Sequence, residues 1–187
     1  MSEVVLSDHR SEWADEFERI SSDLRDALGS RALRIDHIGS TSVPGLAAKD
    51  VVDLQVIVER LDLDLVQLLE ARGFFSPYEG VLVDHVPATW EGPAEAWQKL
   101  FLRPSSGRRV HVHIRVAGSP NARYALLFRD YLRASPEARD AWAETKRQVA
   151  REHPDRDAYA EAKDPLTDVL MDDAERWAAR VGWSPPA

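Results

Sequence analysis

Two eight-residue segments of the chain have apolar residues at every second position with polar residues between some or all of them, and this period of two most constrains the fold. Successive residues of a β-strand lie on opposite faces of the sheet. In residues 51–58 the even positions are apolar, whereas Asp53 and Gln55 lie on the other face. In residues 109–116 the even positions are again apolar, and the other face carries Arg109, His111, His113 and Arg115. Both segments predict strands with one buried face and one polar face.

Helical periodicity predicts helices before, between and after these strands. Apolar residues recur at helical spacing from Trp13 to Leu28, with Ser11 and Gly29 as candidate caps, and residues 61–72 predict a second helix. The last third of the chain predicts three more helices: about 121–133, about 135–152, and 155–182 with a break or restart at Asp164-Pro165. This order predicts an α+β fold, a small mixed sheet backed by helices with a C-terminal helical portion.

The remaining strands are predicted to be shorter. Residues 33–38 form a strand that enters the turn 39–42, and residues 81–83 form another. Residues 100–103 and 109–116 flank a turn and predict a hairpin. Residues 84–98 are rich in proline, glycine and aromatic residues and predict a loop, to which the sequence assigns no role.

Length and composition limit the class of protein. At 187 residues the chain predicts a single domain, with a core at about 1–118, a helical portion at about 119–182 and a frayed tail at 183–187. It contains no cysteine, which excludes disulfides, thiolate zinc sites and cysteine nucleophiles. No apolar run reaches the roughly 18 residues of a membrane span, and the first residues do not resemble a secretory signal. A cytoplasmic location is the expectation.

Charge is unevenly distributed along the chain. The formal net charge of −8 argues against nucleic acid as the partner. Residues 99–133 nevertheless carry eight lysine and arginine side chains against a single carboxylate. A basic segment in an acidic protein indicates a local anionic ligand. The alternative is a set of solvated arginines with no ligand.

The polar strand faces are the first candidate site. If the two alternating strands lie in one sheet, Asp53 and Gln55 face the row of arginines and histidines. Its cationic donors suit a phosphate group, and His111 and His113 could instead bind one metal ion with Asp53 or His37 as a further ligand. A polar sheet face with no function is the alternative.

The turn that follows residues 33–38 is the second candidate. Gly39 permits close backbone approach, and the amides and hydroxyls of Ser40, Thr41 and Ser42 could hold a phosphate. Lys49 could neutralise that phosphate, or it could simply be solvated beside Asp50. Asp36 and His37 alternate on the strand, so only one of them faces the site, and His37 is the favoured residue.

Several of these residues resemble the signature of the GrpB family. The resemblance rests on the block His37-Ile-Gly-Ser-Thr-Ser-Val-Pro-Gly-Leu-Ala-Ala-Lys49 and on Val51-Val-Asp-Leu-Gln55. His111-Val-His113, Leu127-Phe-Arg-Asp-Tyr-Leu-Arg133, Trp13 and Tyr159-Ala-Glu-Ala-Lys163 match in the same order, so the resemblance covers nearly the whole chain. The family is similar in fold to nucleotidyltransferases, and related domains occur fused to dephospho-CoA kinase.

The resemblance implies a phosphate-binding Gly-Ser turn followed by a strand that carries metal-binding carboxylates. Gly39 and Ser40 match the turn and Asp53 matches the first carboxylate, but Gln55 holds the second position. His111 or His113 stands where a third carboxylate is expected. Mg²⁺ prefers oxygen ligands, so this set is a poor one for a two-metal phosphoryl transferase.

Three hypotheses for function follow. The first is a nucleotidyltransferase-like enzyme with an altered metal site, in which Asp53 acts with His111 or His113. The second is a non-catalytic module that binds a nucleotide or another phosphate-bearing small molecule. The third is a transition-metal site, with Zn²⁺ or Mn²⁺ on Asp53, His111 and His113. The predicted ligand-binding residues are His37, Gly39, Ser40, Thr41, Ser42, Lys49, Gln55, Arg109 and Arg115.

Overall fold

The computed structural model describes residues 3–186 and shows a mixed sheet with five α-helices. The helices are α1 Glu12–Leu28, α2 Asp64–Glu70, α3 Pro120–Ala134, α4 Pro136–Glu152 and α5 Arg156–Val181. The strands are β1 Arg34–Ile38, β2 Val52–Val58, β3 Phe74–Phe75, β4 Leu82–Val83, β5 Gln98–Pro104 and β6 Val110–Val116. The predicted α+β architecture is therefore confirmed, and β3 is a strand that the sequence did not indicate.

The two alternating segments are neighbours in the sheet. The strand order is β1-β2-β6-β5-β3, with β4 also paired to β5. Strands β2 and β6 are parallel, and their register places Asp53 beside His111 and Gln55 beside His113. Side chains at paired positions lie on the same face, so the predicted polar face exists. The predicted hairpin of β5 and β6 is also present, as an antiparallel pair.

The two faces of the sheet are covered by different helices. The apolar face packs against α1 and α2, around fully buried Trp13, Leu54 and Ile114. A second apolar cluster joins α3, α4 and α5 to the loop after the 39–42 turn, with Leu127 and Trp142 among its members. The polar face of the sheet is therefore directed at the C-terminal helices, and the space between them becomes the candidate site.

Helix α5 continues through Pro165, so the predicted break or restart there is wrong. An internal proline removes one helical hydrogen bond and costs roughly 3 kcal/mol in an isolated helix. Here α5 buries Tyr159 before the proline and Met171 and Ala178 after it. Packing along the whole helix outweighs this local preference. The helix begins as expected, because the Asp155 side chain accepts hydrogen bonds from the amides of residues 157 and 158.

Other predicted boundaries differ in detail. Helix α2 covers only 64–70 of the predicted 61–72, and the Ser11 side chain makes no capping hydrogen bond to α1. Ser119, rather than Asn121, precedes α3. Residues 183–186 have no regular structure, although Trp183 Nε1 donates to Asp130 Oδ2 at 3.1 Å, and Ala187 lies outside the described residues. Among residues 3–186, no helix is both long and apolar enough to cross a membrane.

Candidate functional site

A cavity of about 310 Å³ lies between the polar face of the sheet and the three C-terminal helices. Its floor is formed by Asp53 and His111 from the sheet, and the 39–42 turn forms one edge. The helices contribute Tyr124 and Phe128 from α3, Trp142 and Lys146 from α4, and Tyr159, Lys163 and Thr167 from α5. Apolar walls with a few convergent polar groups are typical of small-molecule sites, and this volume is at the small end of their range.

Asp53 and two histidines form a hydrogen-bonded cluster on the cavity floor. Asp53 Oδ1 lies 3.0 Å from His111 Nδ1 and 3.9 Å from His113 Nε2. Burial raises the pKa of Asp53, but hydrogen bonds from the two histidines outweigh it and hold that pKa well below its usual range. Burial, together with the charge of the nearby Lys99, lowers the pKa of His113 to about 4. At pH 7 the cluster therefore contains an ionised Asp53 and a neutral His113.

A second polar network lies behind this cluster. Lys99 Nζ is 3.2 Å from His113 Nδ1 and also donates to Asp84 Oδ1. Asp84 accepts from Arg115 Nη2 at 2.7 Å, and Arg115 Nη1 donates to Gln55 Oε1 at 3.0 Å. Burial raises the pKa of Asp84, but Arg115 and Lys99 outweigh it and hold the pKa well below its usual range. This network keeps His113 and Arg115 in fixed positions.

Asp84 and Lys99 were missed by the sequence analysis. Asp84 follows the two-residue strand β4, at the start of the segment that was predicted to be a loop, and Lys99 lies on β5. Asn121 closes the same segment, because its Nδ2 donates to the carbonyls of Trp97 and Gln98. No motif marks Asp84 in the sequence, because its partners are more than ten residues away in the chain.

The 39–42 turn touches the cluster directly. Gly39 has φ +67° and ψ −172°, a conformation that is essentially restricted to glycine. A Cβ atom at this position would lie 2.7 Å from Asp53 Oδ2. Ser40 and Thr41 line the cavity, whereas Ser42 is buried and donates its hydroxyl hydrogen to the Gly39 carbonyl at 2.6 Å. The predicted turn thus lies at the site, with Ser42 supporting the turn itself.

All four lysines of the chain lie at this site, although the chain also contains twenty arginines. Lys49, Lys146 and Lys163 line the cavity, and Lys99 contacts His113. Lys146 donates to Ser40 Oγ at 2.9 Å and to the Ala47 carbonyl. Burial lowers the pKa of Lys146 to about 7, and the charges of Lys163, Arg147 and Lys49 contribute to this shift. The scarcity of lysine is a sequence signal that could have identified Lys146 and Lys163.

The structure excludes some predicted residues from the cavity. His37 pairs with Leu54 in the register of β1 and β2, so its ring lies on the apolar face and stacks on Phe17 at 4.8 Å. Asp36, opposite Gln55, is the residue that lies on the polar face, and the preference for His37 is therefore wrong. Burial lowers the pKa of His37 to about 4, so the ring is neutral at pH 7.

Gln55 and the two predicted arginines have structural partners or lie elsewhere. Gln55 is fully buried and donates to Asp36 Oδ2 at 2.9 Å, which places it behind the cavity wall. Arg115 lines the cavity but is paired with Asp84. Arg109 lines a neighbouring surface pocket together with Lys49 and Arg156.

The donor set allows a specific test of metal binding. One oxygen or nitrogen atom each from Asp53, His111 and His113 lies within 4.8 Å of the others, a spacing that could hold one ion. Two imidazoles and one carboxylate do not fit Mg²⁺, which is bound through oxygen ligands. They fit Zn²⁺ or Mn²⁺ by donor type. Asp84, a further carboxylate in the adjoining network, is already paired with Lys99 and Arg115.

Comparison with known proteins identifies the family. The profile of the family described as GrpB protein matches residues 3–173. The chain belongs to the GrpB family. A crystal structure of the conserved protein GrpB from Enterococcus faecalis is 31% identical, covers 92% of this chain and 99% of that one, and gives a TM-score of 0.74. The resemblance drawn from the sequence motifs is confirmed.

Further relatives of this GrpB chain have other names or are longer. A Mycolicibacterium paratuberculosis protein named dephospho-CoA kinase is 38% identical over 93% of this chain and 46% of its own length. The UPF0157 protein YqkA of Bacillus subtilis is 30% identical over 94% of this chain and 48% of its own length. The chain thus spans about half the length of these curated relatives.

A more distant structure supports the fold alone. The GLD-2/RNP-8 complex matches 77% of this GrpB chain and 56% of its own, at 14% identity and a TM-score of 0.51. The two structural likenesses agree with the predicted fold, a mixed sheet backed by helices.

Proposed function

We propose that this GrpB protein binds a phosphate-bearing small molecule, such as a nucleotide, in the cavity between the sheet and the C-terminal helices. The observation that supports this proposal is the convergence of the lysines. Three of the four lysines line one small cavity, against the single carboxylate of Asp53 among its lining residues. Like charges raise one another's energy when they are buried together, and a bound anion would relieve this repulsion.

The turn at Gly39 and Ser40 adds hydrogen-bond donors to the same place. The Ser40 hydroxyl already accepts from Lys146, so turn and lysine act on one point of the cavity. The aromatic and aliphatic walls, including Phe128 and Tyr159, are suited to the apolar part of a ligand. A nucleotide or a coenzyme A precursor combines both properties. The names of the longer relatives make coenzyme A precursors worth including among the ligands, and a cytoplasmic setting fits either class.

Group transfer is a second candidate, favoured by the reactive groups on the cavity floor. The ionised Asp53 and the two histidines line the same cavity as the lysines. A two-metal nucleotidyltransferase mechanism needs several carboxylates to clamp the metals. This site offers only Asp53, because Asp84 is held by Lys99 and Arg115. Any transfer would therefore follow a different route from that of the Mg²⁺-dependent enzymes.

Thermal unfolding tests the binding proposal directly. The protein is heated with nucleotides, inorganic phosphate, coenzyme A precursors and divalent metals, singly and in combination, in a phosphate-free buffer. A ligand at 100 times its dissociation constant adds about 2.7 kcal/mol to the free energy of unfolding. We expect a rise of several degrees with at least one phosphate-bearing compound. No rise with any of them would contradict the proposal.

Substitution of Lys163 locates the binding. Lys163→Gln removes a charge from the cavity wall, and we expect a loss in affinity of about tenfold or more, because a hydrogen bond to a charged group contributes roughly 1.5–3 kcal/mol. Arg72→Gln is the matched control, because Arg72 is exposed and lines neither the cavity nor the neighbouring surface pocket that also contains Lys49. Isothermal titration with the compound that gave the largest thermal shift measures both. Equal losses in the two variants would show that binding is non-specific attraction to positive charge.

A further inference from the structure

The two histidines of the cavity floor are held in opposite tautomers by their neighbours. Lys99 Nζ lies 3.2 Å from His113 Nδ1. A lysine ammonium group has three donors and no acceptor, so Nδ1 of His113 must accept. A neutral imidazole has one N–H, and that of His113 is therefore on Nε2, the atom that lies 3.9 Å from Asp53 Oδ1.

His111 has the reverse arrangement. Its Nδ1 lies 3.0 Å from Asp53 Oδ1, and an ionised carboxylate only accepts. In the neutral ring, Nδ1 of His111 therefore carries the hydrogen, which leaves Nε2 with a free lone pair. His111 lines the cavity, and its Nε2 makes no hydrogen bond to any of residues 3–186. A carboxylate that orients an imidazole in this way is the arrangement found in general-base dyads.

The same constraint opposes metal binding at this cluster. A metal ion on His113 Nε2 would require the hydrogen to move to Nδ1, where it would point at the Lys99 ammonium group. Lys99 cannot easily turn away, because Asp84 holds it and its side chain is only 13% exposed. The spacing of the three side chains permits an ion, but the proton positions do not.

We propose that Lys99 makes this cluster an acid–base site rather than a metal site, with the Asp53–His111 pair as its working dyad. His111 Nε2 takes a proton from a hydroxyl group or water in the cavity: the O–H bond breaks, an N–H bond forms, and Asp53 stabilises the resulting imidazolium. Lys99 is a positioning residue. The idea that a phosphate-bearing molecule carries the hydroxyl group, or reacts with the activated one, rests on the proposed function. The tautomers of His111 and His113 do not depend on it.

Nitrogen NMR of the six histidines tests the proposal without any ligand. Long-range ¹H–¹⁵N spectra at neutral pH distinguish the protonated from the unprotonated ring nitrogen. We expect the hydrogen on Nε2 of His113 and on Nδ1 of His111, with exposed His153 as an internal reference. A hydrogen on Nδ1 of His113, or on Nε2 of His111, would overturn the proposal.

Metal titration of Lys99 variants provides the second measurement. We expect Lys99→Met to bind Zn²⁺ roughly 10–100-fold more tightly than the wild type, a range typical of changes next to a metal ligand. Lys99→Arg keeps the charge and the donors and should behave like the wild type. Equal Zn²⁺ affinity in the wild type and Lys99→Met, with both proteins folded by their ¹H–¹⁵N spectra, would overturn the proposal. Failure to bind phosphate compounds would leave both results unaffected and would count only against the proposed function.

Discussion

Lys146→Met is expected to raise the free energy of unfolding by about 1–3 kcal/mol at pH 7 while reducing affinity for phosphate compounds. Burial lowers the pKa of Lys146 to about 7, so keeping the ammonium group charged in the folded protein is costly, at about 1.4 kcal/mol for each pH unit of the shift. Methionine has a similar length and carries no charge. Part of the gain is lost, because the Ala47 carbonyl and the Ser40 hydroxyl lose their donor.

The difference in free energy of unfolding between Lys146→Met and the wild type should depend on pH. Between about pH 7 and 10.5 the unfolded chain binds a proton at Lys146 that the folded chain has released. The free energy of unfolding of the wild type therefore rises with pH in this window, whereas that of Lys146→Met lacks this contribution. The advantage of the variant should shrink from pH 7 to pH 9.

Urea denaturation at pH 7, 8 and 9 in a phosphate-free buffer measures both predictions. Lys163→Met is the control, because Lys163 is only half-buried and paired with Asp164 at 3.0 Å. Lys163→Met should change the free energy of unfolding by less than Lys146→Met does. With Lys163→Met, that free energy should still rise with pH as it does in the wild type. A Lys146→Met protein that is less stable than the wild type at pH 7 would contradict the burial cost. Unchanged affinity for the phosphate compound would contradict a role of Lys146 in binding.

Gly39→Ala is expected to destabilise the protein more than the same change at Gly29. Both glycines have positive φ, +67° at Gly39 and +56° at Gly29, and an alanine in such a conformation costs roughly 1–3 kcal/mol. At Gly29 a Cβ atom would meet nothing within 4 Å, whereas at Gly39 it would lie 2.7 Å from Asp53 Oδ2. The collision should add roughly 1–3 kcal/mol.

Gly39→Ala and Gly29→Ala should also differ in ligand binding. Relief of the collision at Gly39 must move Asp53, and Asp53 orients His111 through the 3.0 Å hydrogen bond. We expect Gly39→Ala to lose binding of phosphate compounds and to change the nitrogen shifts of His111, while Gly29→Ala retains both. Urea denaturation, ligand titration and histidine NMR of the two variants provide the comparison. Equal stability and equal binding in both would show that the close approach of Gly39 to Asp53 has no importance.

The polar sheet face was predictable because strand alternation is a local property. Asp53 shares a face with Gln55 in any strand, and His111 shares one with His113, whatever the rest of the chain does. The turn at Gly39 was predictable for a similar reason, since a glycine followed by small hydroxyl residues can be recognised from four consecutive residues. These local patterns also carry the family resemblance.

The choice between Asp36 and His37 needed the neighbouring strand. Alternation states that the two lie on opposite faces, but only the antiparallel register, with His37 opposite Leu54, decides which face is polar. Pro165 is a second case of this kind. Its local preference predicts a helix break, and burial of residues on both sides of it in α5 overrides that preference.

The sequence by itself determined the five helices, the main strands with their polar faces, and the turn at residues 39–42. Only the tertiary structure brought Asp84, Lys99 and Lys146 to them. Lys146 meets Ser40 across 106 residues of chain, and Lys99 meets Asp84 through the pairing of β4 with β5. The physical reason is that backbone periodicity is set by neighbouring residues, whereas burial, pKa and proton position depend on whichever distant groups the packed chain places within a few ångströms.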